Sequence, residues 1–220
     1  MVHEDDRETV KGRCGATRML ILEGLVTTTD AAGGMHLAAM GPAVDEEERS
    51  VGRITRLTLR PFGGSQTAAN LARSPEGVFH LVDDVLLLAR VVASVSGPRP
   101  VARPAEQVRG WVLEDACRAY EFRVAASDTT QERVRLEAVV VAEHAGRPFL
   151  GFNRAAHAVV EGAILVTRLH LLDADEIRQR FADLHVLVEK TGGAREREAF
   201  AILQSRVAAA ASVPAAGGPA

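Results

Sequence analysis

The stretch Leu59-Arg60-Pro61-Phe62-Gly63-Gly64-Ser65-Gln66-Thr67-Ala68-Ala69-Asn70-Leu71 holds a strand, a glycine loop, hydroxyl residues and a helix start, in the order an anion site needs. Gly63 and Gly64 let backbone approach a ligand closely. A helix N-terminus offers free N–H groups and partial positive charge. Ser65 and Thr67 add hydroxyl donors, and Arg60 supplies a balancing charge. The same residues also read as a plain strand-to-helix connector with Ser65 as N-cap, because short glycine loops are common.

Two further stretches carry polar chemistry. In His36-Leu37-Ala38-Ala39-Met40-Gly41-Pro42 small residues at a strand end leave backbone N–H and C=O groups open to a flat polar ring, and Met40 offers a soft surface. Its plain reading is a strand that stops at Gly-Pro. In Gly151-Phe152-Asn153-Arg154-Ala155-Ala156-His157, followed by Glu161 and Arg168, the charged residues share one helical face, with His157 and Glu161 an i,i+4 pair. That face suits a ligand, a partner subunit or simply solvent. His157 and Glu161 have the spacing of two metal ligands, but no third is evident, and no metal is assigned. Asp83-Asp84 reads as a helix cap, Cys117 as an inert core thiol, and no Ser/His/Asp or Cys/His order stands out.

The elements that must position these residues are strands first and helices afterwards. A strand over 19–28, a turn at 29–34 and a strand over 35–40 form a hairpin. An acidic loop, Asp45-Glu46-Glu47-Glu48, leads to a strand at about 53–60, stopped by Pro61. A short helix over 66–73, a strand over 78–82 and a helix over 85–95 follow. Residues 97–104 are a proline-rich connector, and strands over 119–126 and 134–143 come next. Asn153 caps a helix running to about 171, Asp173 caps the next, Gly192-Gly193 ends it, and a last helix covers about 195–207. This segregation predicts an α+β protein with an antiparallel sheet or barrel. The expected organisation is a flexible leader (1–17), a barrel (18–150), a helical part packed on it (151–207) and a disordered tail (208–220).

Composition narrows the function classes. The chain is 47% hydrophobic and 25% charged, as a globular protein is, and a net charge of −3 with 4% aromatics argues against nucleic acid. Cys14 and Cys117 are far apart, which fits a reducing compartment. The first 17 residues do not read as a signal peptide, and the longest apolar runs are too short and too charged to span a bilayer. A soluble, cytoplasmic protein with no membrane partner is expected. No G-x-G-x-x-G follows a strand and no G-x-x-x-x-G-K-[ST] occurs, which argues against Rossmann and P-loop nucleotide sites.

Several motifs in fixed order resemble the DUF447 family of FMN-binding split barrels. They are Glu23-Gly24-Leu25-Val26-Thr27-Thr28, the hairpin end Ala38-Ala39-Met40-Gly41-Pro42, and Leu59-Arg60-Pro61-Phe62 with Ser65, Thr67, Asn70 and Leu71. They continue with Gly77-Val78-Phe79-His80-Leu81-Val82-Asp83-Asp84, Ala116-Cys117-Arg118-Ala119-Tyr120-Glu121-Phe122, the Gly151–His157 segment and Val188-Glu189-Lys190-Thr191-Gly192-Gly193. The resemblance implies an antiparallel split β-barrel with a helical C-terminal part, FMN in a groove and a homodimer. It implies that Arg60, Ser65, Thr67 and Asn70 hold the phosphate end, beside Phe62. Thr27 and the backbone of Ala38, Ala39, Met40 and Gly41 would lie along the isoalloxazine, and the segment from Asn153 would close the site or the dimer interface. Ala39, Ala68 and His36 depart from the family pattern, which has Pro, Tyr and Asn there. The function so implied is an FMN-dependent oxidoreductase of unknown substrate, for which the resemblance points toward a pterin-like compound. The alternatives are a non-catalytic flavin carrier or sensor, and a structural dimer that has lost its ligand. A flavin carries the redox chemistry itself, so the lack of an acid–base constellation is no objection.

Overall fold

Alternation along each strand decides which face of the sheet is buried, and two neighbouring residues show the outcome: Leu25 packs into a helical cluster and Val26 into the barrel interior. The computed structural model describes residues 18–211. Its elements begin with β1 (Met19–Ile21), β2 (Gly24–Thr29), β3 (Met35–Met40), β4 (Ala43–Asp45), α1 (Glu46–Ser50), β5 (Arg56–Leu59), α2 (Gln66–Arg73), β6 (Glu76–Leu81) and α3 (Val85–Ala93). The chain continues with β7 (Ala102–Pro104), β8 (Trp111–Leu113), β9 (Arg118–Asp128), β10 (Arg135–Ala145), α4 (Arg154–Val166), α5 (Ala174–Thr191) and α6 (Ala194–Ala211). Eight strands form one curled antiparallel sheet in the order β1-β4-β5-β10-β9-β6-β2-β3, and β7 and β8 form a separate hairpin. This is an α+β split barrel, as expected.

Inside the curl, Val26, Val44, Leu57, Leu59, Phe79, Tyr120, Phe122 and Leu136 make the barrel core, closed at one end by Leu71 of α2. Each such side chain contributes about 1.5–3 kcal/mol by leaving water. On the other face of β2 and β3, α3 to α6 bury Val85, Ala89, Val159, Phe181, Phe200 and Leu203, and Met35, Leu37 and Ala39 of β3 pack against them. A third cluster, Val78, Val108, Val112 and Ala119, lies beneath the β7–β8 hairpin. The core therefore leaves β3 as a sheet edge, paired only with β2.

Several expectations are corrected. The acidic run 45–48 is no loop: Asp45 ends β4 and its carboxylate accepts from the Glu47 and Glu48 N–H groups, starting α1 with three glutamates at the positive end of the helix. The connector at 97–104 contains β7, which pairs with the unforeseen β8, both too short to show a period. The strand expected over 19–28 breaks at Leu22-Glu23, and the third strand starts at Arg56. Helix α4 ends at Val166, short of 171. Helix α6 runs on through alanines to Ala211, so residues 208–211 are helical where a disordered tail was expected. The leader 1–17 and residues 212–220 lie outside the described residues. Among the described residues no helix is long and apolar enough to cross a membrane.

Candidate functional site

The loop before α2 is fixed from both sides. Pro61 accepts from the Val134 N–H, the Gly63 N–H donates to Glu132 O at 2.9 Å, and the Arg133 guanidinium lies 3.9 Å over the Phe62 ring. Ser65 caps α2, its Oγ accepting from the Ala68 N–H at 3.2 Å. First-turn N–H groups have no intrahelical carbonyl, so those of Gln66 and Thr67 stay available. No acidic residue occupies the first turn of α2, in contrast to α1. A Cβ at Gly64 would meet nothing within 4 Å, so the space above this helix start is open.

One contact joins the two stretches that the sequence treats separately. Nε2 of His36, on β3, lies 3.2 Å from Oγ1 of Thr67, on α2. Partial burial lowers the pKa of His36, with nearby Asp30 partly offsetting it. The helix start thus stands at one end of the open edge strand, and Ala38, Ala39, Met40 and Gly41 run away from it. Unpaired edge N–H and C=O groups are strong hydrogen-bonding sites.

The other expected site residues divide. Asn70 is fully buried; its Nδ2 donates to Thr28 Oγ1 at 2.9 Å and its Oδ1 accepts from Gln66 and Arg73, which ties α2 to β2. Thr27 is also fully buried, on the opposite sheet face, where its hydroxyl donates to Trp111 O at 2.6 Å and holds down the β7–β8 hairpin. Arg60 shares no hydrogen bond and no pocket with Ser65, Thr67 or Asn70. Leu59 points into the barrel, so Arg60 points out and lines a pocket of about 310 Å³ with Asp128, Gln131, Glu132, Arg133 and Arg135. Ala68 lines an apolar groove of about 400 Å³ on another side of α2, with Gly63, Ala69 and Ala72. A larger apolar cavity, about 490 Å³, sits between α5 and α6 against Ile177 and Phe181 and holds none of these residues.

The C-terminal helices supply the remaining expected residues. Asn153 caps α4 through the Ala155 and Ala156 N–H groups and donates to Thr191 O, pinning α4 to the end of α5. Ahead of it Phe149, Leu150 and Phe152 are exposed, with Leu150 at 87% and Phe152 at 86%, and His157 stacks edge-on to Phe152 at 5.7 Å. Glu161 and Arg168 of the α4 segment act electrostatically on Glu23, whose carboxyl packs against Gly41. Sequence reading passed over Glu23, since the charges that act on it lie far along the chain. Cys117, expected in the core, is half-buried, and burial raises its pKa. Among the described residues no three His, Cys, Asp or Glu side chains gather as a metal site.

Comparison with known proteins sets this geometry in a family. Residues 22–147 match the family described as "Protein of unknown function (DUF447) N-terminal domain", and residues 153–205 match its second part, "Protein of unknown function (DUF447)". An FMN-bound protein from Methanosarcina mazei, described with the same family, superposes with a TM-score of 0.72 at 20% identity, covering 86% of this chain and 96% of that one, which shows a shared fold. More distant are flavoredoxin from Methanosarcina acetivorans (TM-score 0.47, 9% identity, 69% of this chain and 78% of that one) and the styrene monooxygenase flavin reductase from Pseudomonas putida S12 (0.46, 12%, 60% and 84%). No curated protein matches the chain. With both family parts matched in order over most of its length, the chain belongs to the DUF447 family.

Proposed function

We propose that this protein is a flavoprotein that binds FMN along β3, with the phosphate at the start of α2 and the isoalloxazine toward Met40 and Gly41. The observation that carries this reading is the His36–Thr67 contact, which sets a helix N-terminus free of acidic residues at one end of an open edge strand. From His36 to Gly41 the strand runs about 17 Å, comparable with an extended FMN. The residues present fit the group: open space at Gly64, free N–H groups at Gln66 and Thr67, and edge backbone for the polar rim of the ring. The FMN bound to the Methanosarcina mazei protein of the same fold supports the choice of flavin.

When bound, FMN supplies redox chemistry, which makes an oxidoreductase the activity we favour. The chain itself binds and orients. The α2 start fixes the phosphate, while α4 flanks the ring end. The exposed Phe149, Leu150 and Phe152 suit burial by a second copy of the chain, and we propose a homodimer that covers the open edge of the site. A lone half-buried thiol at Cys117 among the described residues suits a reducing, cytoplasmic setting.

A charge placed at the helix start tests the phosphate position. Gln66→Asp puts a carboxylate in the first turn of α2, where the helix itself favours it. The expected result is an apo protein that folds as wild type does, the favourable charge at the helix start offsetting the lost Gln66–Asn70 hydrogen bond, and that binds FMN at least about tenfold more weakly, with riboflavin affinity nearly unchanged. Measured by fluorescence titration, an equal loss for both ligands would put the phosphate elsewhere.

A further inference from the structure

Glu23 occupies the break between β1 and β2, opposite the end of β3. A Cβ at Gly41 would sit 2.8 and 2.9 Å from its two carboxyl oxygens, so glycine is what lets the acid lie against the strand edge. Among the described residues Glu23 has no hydrogen-bond or ion-pair partner. Partial burial, then the charge of Glu161, raises its pKa, and Arg168 opposes them. Glu23 lies against Gly41, and Glu161 and Arg168 come within electrostatic reach of it because the outer face of β3 packs on the C-terminal helices.

We propose that Glu23 touches the polar end of the bound isoalloxazine at Gly41 and that its charge sets the reduction potential of the ring. This rests on the flavin reading above. An ionised Glu23 accepts a hydrogen bond from the imide N–H of the ring and disfavours added negative charge there. A protonated Glu23 donates to a ring carbonyl and leaves reduction unopposed. The potential therefore carries the titration of Glu23 in its pH dependence. Arg168, by favouring the carboxylate, and Glu161, by disfavouring it, move that titration in opposite directions.

The test uses the full chain loaded with FMN, as wild type, Glu23→Gln, Arg168→Gln and Glu161→Gln. Reduction potential is measured by dye equilibration, and the visible flavin band is followed, from pH 5 to 9. Wild type is expected to show in both an inflection beyond that of the ring's own protonation, absent in Glu23→Gln, whose potential is higher above that inflection. Arg168→Gln moves the inflection to higher pH and Glu161→Gln to lower. The apo Glu23→Gln protein is expected to fold at least as well as wild type near neutral pH. A carboxyl whose pKa is raised on folding contributes most at acid pH and loses that contribution as pH rises toward the folded value, and Gln removes the loss. Glu23→Gln protein that binds FMN with the potential and spectral pH profile of wild type overturns the proposal. Wild type that takes up no FMN overturns the flavin reading itself, and this proposal with it.

Discussion

Replacing Glu121 by Gln is expected to lower unfolding free energy by about 2–4 kcal/mol and to loosen the β7–β8 hairpin. Glu121 is fully buried, and its carboxylate accepts from three consecutive N–H groups, Glu106 at 2.7 Å, Gln107 at 2.6 Å and Val108 at 3.1 Å. His144 completes the set, Nε2 to Oε1 at 2.7 Å. Arg103 has only donors and lies 3.0 Å from Nδ1 of His144, so Nδ1 accepts and Nε2 carries the proton given to Glu121. Burial alone would raise the Glu121 pKa, but the hydrogen bonds from Glu106, His144 and Gln107 outweigh it and lower the pKa. A glutamine would turn an NH2 group toward donors and leave one of them without an acceptor. Trp111, the single tryptophan, stands in this hairpin, so denaturant unfolding followed by its fluorescence reads both effects. A loss below about 0.5 kcal/mol would show that the hairpin is held by its other contacts. Those contacts are Thr27 to Trp111 O, Thr29 to Arg109 O and the Arg109–Glu76 ion pair.

Acid is expected to destabilise the fold through His80, by about 3 kcal/mol between pH 6.5 and 4. The imidazole is fully buried: Nδ1 lies 3.3 Å from Leu25 O and Nε2 accepts from the Leu113 N–H at 3.1 Å, which joins β6, β2 and β8. With Nε2 accepting, Nδ1 carries the proton and the ring is neutral. Burial lowers its pKa to about 4, against 6.5 ordinarily, overcoming the raising effect of its hydrogen bonds to Leu25 and Trp111. Because the folded value is the lower one, the contribution is present above pH 6.5. It shrinks as the unfolded chain takes up a proton, and is gone once pH falls through 4. Stability against pH, compared between wild type and His80→Gln, should differ in slope by close to one proton over that interval. Equal slopes would mean that His80 is protonated in the fold at mild acidity.

Much of the scaffold was legible because its signals are local. The Gly63-Gly64-Ser65 run before an apolar stripe marks α2 to the residue, Asp84, Asn153 and Asp173 do cap α3, α4 and α5, and the turn at 29–34 joins β2 to β3. What escaped depends on pairing across distance. Glu121 sits between Tyr120 and Phe122, where alternation alone assigns it to solvent, and only the hairpin folding over that face buries it. The hairpin strands are three residues each, too short for a period of two, and prolines mask them. Arg60 adjoins the glycine loop in sequence, yet the pleat turns it to the pocket under the β9–β10 turn. Thr27 and Thr28 look equivalent, but one holds the hairpin and the other receives Asn70. The electrostatic reach of Glu161 and Arg168 to Glu23 has no local trace at all.

The most direct test of the flavin assignment is the visible absorbance of the purified protein, with any released ligand identified by mass and the apo form titrated with FMN. The proposed function predicts a flavin band near saturation with one FMN per chain, and release of FMN in preference to riboflavin. A colourless protein that takes up no added FMN would contradict it and leave a split barrel whose open β3 edge serves something else.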